Sequence, residues 1–176
     1  MRLLMIILVP FVCFAVELSD MGDFIEVEIL PLTGMTIVGM EYTGTDPAGI
    51  MQLWTEFMQR VSEIPGRSPE DDAYGVLLGY DQVSGEYSYL AGVESGADGP
   101  LPEGMVSAGI DPGPYAVFTF RFDMLESIYS YVYDQWMPQS GWAAGEGYSF
   151  EFYPEDFIPS EEGVLMQLYV SVREEE

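Results

Sequence analysis

One order of elements occurs twice in this chain, and that repetition limits its fold more than any other feature. The first pass opens with FIEVEIL (24–30) and MTIVGMEY (35–42), which alternate apolar and polar residues as half-buried strands do. Asp46 and Pro47 then supply a helix N-cap and a proline at the first helical position. Ile50, Leu53, Trp54, Phe57 and Val61 follow at helical spacing, giving one apolar face that ends before Pro65. YGVLLGYD (74–81) and EYSYLAGVES (86–95) read as two strands joined by a turn at 82–85.

The second pass runs through MVSAGI (105–110), a turn DPGP (111–114) and YAVFTFR (115–121). Asp123 and Glu126 have the spacing of a capping box, and Leu125, Ile128, Tyr129, Val132 and Trp136 continue at the helical period. Pro138 is expected to stop that helix. YSFEFY (148–153) and GVLMQLYVSV (163–172) complete the set, and the offset between matching elements stays near 74–79 residues. The expectation is an α+β fold of duplicated β-α-β-β units, with antiparallel sheets and one long helix per half. A pseudo-two-fold axis would relate the halves and leave a central ligand cleft between them. The repeats are placed at 24–98 and 99–173, with an acidic tail at 174–176.

The first residues differ from the rest. Arg2 precedes an unbroken apolar run from Leu3 to Val16, and Cys13-Phe14-Ala15 suits a small-x-small cleavage site. The run is shorter than the roughly 20 residues a membrane-spanning helix needs. Residues 1–15 are therefore expected to be a cleaved signal peptide and 16–23 a linker, which leaves no stable membrane span and an exported, periplasmic or extracellular, protein. The alternatives are a cytoplasmic protein or one anchored by its N-terminus.

Charge and missing residue types narrow the chemistry. The net charge is −25, with 30 acidic residues against five basic ones, all arginine. Such a chain repels phosphate backbones, so nucleic acid is not an expected partner. Without lysine there is no phosphate-binding P-loop lysine and no Schiff base; without histidine there is no Ser-His or Cys-His pair. The single cysteine, Cys13, forms no internal disulfide. No cofactor or metal is called for: the acidic groups at 70–72, 155–156 and 161–162 lack the ligand spacing of a calcium loop and read as solvated charge. The residues name no protein partner.

In YSFEFYP (148–154), Glu151 and Tyr153 share one strand face, opposite Phe150 and Phe152. A bare carboxylate there either faces water or sits in a pocket that lacks a counter-charge. Trp142, in a loop before that strand, is a candidate ligand contact. Trp54, Tyr89 and Tyr115 are candidate cleft walls, with ordinary core packing as the alternative.

The ordered set MTIVGMEYTG, IMQLWTEF, YGVLLGY, YSYLAGVE, PEGMVSAGIDPGPYAVFTFR, YDQWMPQSGW, FEFYPEDF and LYVSV resembles the GyrI-like effector-binding domains from about Ile25 to Val172. Those domains occur alone or fused to AraC- and MerR-type regulators, as in BmrR-like multidrug-responsive proteins. The resemblance implies a small-molecule ligand, an organic cation of amphipathic, aromatic character. It also implies that Glu151 and Tyr153 occupy the family's F-E-x-Y site positions. Where the family often has glycine after the strand carrying YAVF, this chain has Phe122, which is expected to narrow or reshape the cleft. Two alternatives follow from the same resemblance. One is a hydrolase of cyclopropane-bearing aromatic toxins with Glu151 as general base; the other is a gyrase-inhibitor-like interaction protein.

Overall fold

The computed structural model describes residues 25–96 and 99–175. The signal-peptide and linker expectations lie outside the described residues.

The first half contains β1 (Glu26–Leu32), β2 (Met35–Gly44), α1 (Pro47–Arg60), β3 (Ala73–Tyr80) and β4 (Tyr87–Glu94). The second contains β5 (Val106–Ile110), β6 (Gly113–Arg121), α2 (Leu125–Ser130), α3 (Met137–Ser140), β7 (Trp142–Ala144), β8 (Ser149–Tyr153) and β9 (Leu165–Glu174). Among the described residues the strands form one nine-stranded sheet in the order β1-β6-β9-β8-β3-β4-β2-β5, with β7 added beside β9. Every pairing is antiparallel. Exchanging the two halves reverses this order onto itself, with the centre between β3 and β8. Each half lends its first strand to the other, because β1 pairs with β6 and β5 with β2.

The helices pack on one sheet face. Leu53, Trp54 and Phe57 of α1, with Val61 just beyond its end, pack against Val38, Tyr89, Ala91 and Val93. Ile128 and Val132 do the same for the second helical stretch, against Phe118, Phe120, Met166 and Leu168. Among the described residues the opposite face carries no helix, and Ile37, Val76, Leu90, Tyr115 and Phe150 are almost wholly inaccessible there. Only two residues link β5 to β6, which stand near opposite ends of the strand order, so the sheet must curl over itself on this side. The cluster accordingly joins Ala108 and Ile110 of edge strand β5 to Tyr115 and Val117 of β6.

Local chemistry explains most boundaries. Asp46 caps α1, its carboxylate accepting from the Ala48 amide at 2.9 Å, with Pro47 in the first turn. The β3–β4 hairpin is held by Asp81, whose side chain accepts from the Val83 amide at 2.7 Å. The second helix departs from expectation at both ends. Asp123 and Glu126 do not build a capping box: a 3₁₀ turn, Phe122–Met124, intervenes, and the Asp123 carboxylate pairs with the Arg121 guanidinium instead. Nor does Pro138 stop the helix. Residues 131–136 widen into a π turn, in which the Met137 amide donates to the Val132 carbonyl five residues back. The wider register accommodates the proline, which stands in the first turn of α3. Gly141, at φ 76°, ends the stretch in the left-handed region. At the C-terminus β9 runs to Glu174, taking in the first residue of the expected tail.

Candidate functional site

Strand register decides which side chains meet on the helical face. Glu151 stands opposite Gly75 of β3 and Leu168 of β9. Gly75 pairs with Ala91 of β4, so Tyr89, two residues along, shares that face. Tyr153 shares it by strand alternation. Trp54 descends onto it from α1, and Tyr129 descends from α2.

These groups enclose the carboxylate. Glu151 is 6% exposed. Tyr89 Oη donates to Glu151 Oε2 at 2.6 Å and Tyr153 Oη to the same oxygen at 2.7 Å. Tyr129 Oη donates to Oε1 at 2.9 Å. Behind Tyr89, Trp54 Nε1 donates to the phenol oxygen at 3.2 Å. Gly75 provides the space: a β-carbon there would overlap the Tyr89 hydroxyl and fall 2.7 Å from Glu151 Oε2.

Burial raises the Glu151 carboxyl above the ordinary glutamate value, and the hydrogen bonds from Tyr89, Tyr153 and Tyr129 oppose that rise. The three phenols are pushed well above the tyrosine value, first by burial and then by the Glu151 charge. They therefore remain donors throughout the physiological range. The ion pairs seen among the described residues are Arg60–Glu63, Arg67–Asp71 and Arg121–Asp123, so no arginine bridges Glu151 there. Among the described residues the charge is stabilised by hydroxyl dipoles, each charge-assisted bond contributing about 1.5–3 kcal/mol.

A cavity of about 190 Å³ opens beside this cluster. Glu151, Tyr153 and Tyr89 line one side and Trp54, Met51 and Met58 of α1 another. Phe122, Leu125, Pro154, Phe157 and Pro159 close it from the second half. Phe122 stands edge-on to Phe157 at 5.2 Å, so the residue that departs from the usual glycine is part of the wall.

Four of the six residues singled out from sequence, Glu151, Tyr153, Tyr89 and Trp54, are thus brought together. Tyr115 is not with them. It lies three residues from Phe118, which shares the Leu168 position with Glu151, and so faces the curled side of the sheet. There its ring packs on Phe150 at 5.8 Å and its hydroxyl donates to the Asp111 carbonyl at 3.2 Å. Trp142 also stands apart from the cavity lining: β7 pairs it with Glu174, and its ring packs on the second core cluster. Sequence reasoning missed Tyr129, which the helical period placed on a core face. Its polar tip, the one hydroxyl among Leu125, Ile128, Val132 and Trp136, was the available signal.

Among the described residues no group of three or more His, Cys, Asp or Glu side chains is gathered to hold a metal ion. No helix among them is long and apolar enough to cross a membrane.

Fold and site together define a small α+β domain with an apolar cavity beside a buried acid. Residues 25–173 match the GyrI-like small-molecule-binding domain, and the chain belongs to that family. It is 32% identical over 148 residues to the transcriptional regulator BrlR of Pseudomonas aeruginosa. That match covers 82% of this chain and 54% of the relative, so the chain spans about half the length of the regulator. Among solved structures, the SAV2435 protein bound to tetraphenylphosphonium is similar at a TM-score of 0.60 and 16% identity, covering 84% of this chain and 94% of the other. The EcmrR C-terminal domain is similar at 0.66 and 12%, covering 85% and 98%. An integron cassette protein of Vibrio cholerae is similar at 0.61 and 18%, covering 85% and 98%. At these identities the structural likenesses establish the fold.

Proposed function

We propose that the domain binds amphipathic, cationic aromatic small molecules in this cavity, with Glu151 as counter-charge and Trp54, Tyr89 and Tyr153 as aromatic contacts. The observation that carries this is the setting of Glu151: a carboxylate 6% exposed, at the side of an apolar cavity, held among the described residues by neutral hydroxyl donors. Desolvation leaves such a charge in need of a cation. An organic cation restores Coulombic stabilisation at low dielectric, and its flat surfaces gain stacking and cation–π contacts of roughly 0.5–2 kcal/mol. Neutral ligands of the same shape gain only the apolar part. The bound aromatic cation in the SAV2435 structure belongs to that protein; here it suggests the first probe.

Isothermal titration with tetraphenylphosphonium, a set of dye-like cations and neutral isosteres tests the proposal. Cations should bind and isosteres should not, and Glu151→Gln should weaken cation binding by tenfold or more, about 1.4 kcal/mol. Binding that survives Glu151→Gln unchanged overturns the electrostatic account.

The self-reversing strand order supports two β-α-β-β repeats, 24–98 and 99–173, as the origin of the fold. The apolar run before residue 16 supports export, for which the mass of the mature N-terminus is the direct measurement.

A further inference from the structure

Four rings of the cavity lining form one edge-to-face chain. Trp54 meets Tyr153 at 5.2 Å and 72°, Tyr153 meets Phe157 at 5.0 Å and 74°, and Phe157 meets Phe122 at 5.2 Å and 84°. The two ends of the chain are held differently. Trp54 and Tyr153 are fixed by hydrogen bonds into the Glu151 cluster, the first through Tyr89 and the second directly. Phe157 and Phe122 have no polar tip, so backbone and packing place them. Phe157 rides on the 154–164 connection between β8 and β9, where its amide donates to the Pro154 carbonyl at 2.8 Å. Pro154 and Pro159 restrict the backbone on either side of it. At the far end of the connection the Phe122 amide donates to the Val164 carbonyl at 2.9 Å. Phe157 is thus wedged, half-buried, between Tyr153 and Phe122 on a braced segment. The volume it bounds is small. At about 190 Å³ the cavity is little larger than the roughly 150 Å³ that takes up one benzene. Drug-sized ligands fill roughly 300–1,000 Å³.

We propose that the cavity takes compact cations, one aromatic ring joined to a small cationic head, and that Phe122 and Phe157 are the residues that set this size limit. This rests on the cation reading above and deepens it. With the head beside Glu151, one ring packs along Trp54 and Tyr153. A second ring meets Phe157 and enters only if that side chain or its segment moves. Phe122 backs the ring of Phe157, and the prolines and the two amide bonds hold the segment, so the movement is costly. Each further ring of a ligand therefore opposes packing at this wall, where otherwise it would add apolar burial.

Phosphonium ions that keep one charge while phenyl replaces methyl stepwise, from trimethylphenylphosphonium to tetraphenylphosphonium, test this when titrated into the full chain at fixed ionic strength. Apolar burial alone predicts tighter binding with every added ring. The size limit predicts tightest binding at one ring and binding about tenfold weaker or more at four. In Phe157→Ala and in Phe122→Ala the optimum should move to more rings, with tetraphenylphosphonium gaining about tenfold over its native affinity. Phe157→Leu and Phe122→Leu, which keep more of the packing, should move it the same way by a smaller step and serve where an alanine variant fails to fold. Glu151→Gln should weaken the whole series without moving the optimum. Affinity that climbs with each ring in the native chain overturns the size limit and leaves the cation reading standing. An optimum at one ring that stays in place in folded variants at both phenylalanines overturns their assignment. Failure of the whole series to bind the native chain and the Phe157 variants overturns the cation reading itself.

Discussion

Gly75 and Glu151 face each other across β3 and β8, and the absence of a side chain at one makes the position of the other. Glu151 and the Tyr89 hydroxyl occupy the volume that a β-carbon at residue 75 would take. Gly75→Ala should therefore push Tyr89 off Oε2 or tilt the carboxylate out of the cluster. Overpacking of this kind costs about 1–3 kcal/mol. Thermal unfolding should show the loss, and titration should show weaker cation binding. An alanine variant with native stability and affinity would mean that the glycine is not needed for the close approach.

Glu151 makes stability depend on pH in a particular direction. Its folded-state pKa lies above the ordinary value of 4.5. Between those two values the folded protein holds a proton that the unfolded chain has released, so the group's stabilisation is present below 4.5. It is lost as pH rises through the raised folded value. Chemical denaturation of native and Glu151→Gln protein, compared at each pH, isolates this contribution from that of the other acids. Relative to native, the glutamine variant should gain stability steadily above 4.5 and level off beyond the folded value. A flat difference would place the carboxyl at its ordinary value, and a decline would place it below.

Much of this site is legible in the sequence because strand alternation is local. It puts Glu151 and Tyr153 on one face with no knowledge of partners. What alternation does not give is the relation between faces of distant strands. Tyr89 and Tyr115 look alike as aromatic strand residues, yet only the pairings Gly75↔Ala91 and Phe118↔Leu168 put the first beside Glu151 and the second behind it. Trp142 was hidden for a related reason, since a three-residue strand is too short to show a period. Tyr129 was obscured by the helical period itself. A core-facing stripe gives no sign that one of its members ends in a hydroxyl directed at a buried charge. The end of the helix at Ser140 depends on a π turn that tolerates Pro138, a register that no local propensity reveals.

Tyr129 supplies a prediction that separates its role from packing. Its hydroxyl is the donor to Glu151 Oε1, and it favours the ionised form. Tyr129→Phe keeps the ring and removes that bond, so the carboxyl should rise further. Cation affinity, which needs the ionised form, should then appear at a higher pH than in the native protein. Titrations across pH should show that midpoint moving up, while affinity well above it recovers most of the native value. A uniform loss at all pH values would instead assign Tyr129 to the shape of the cavity.

The three tryptophans give an internal assay because they stand in different places. Trp54 is 5% exposed, lines the cavity and donates to Tyr89. Trp136 packs edge-on against Phe118 at 5.0 Å, and Trp142 sits on β7. Neither of the latter is among the cavity residues. In a Trp136→Phe/Trp142→Phe variant the remaining indole should report ligand entry through its emission, with the same dissociation constant as calorimetry. Trp54→Phe should weaken cation binding by about three- to tenfold, through lost wall area and the lost donor to Tyr89. Trp142→Phe alone should change affinity by less than about twofold, the size expected for a change outside the contact surface. A tenfold loss there would instead bring β7 into the site and extend the cavity toward the end of β9.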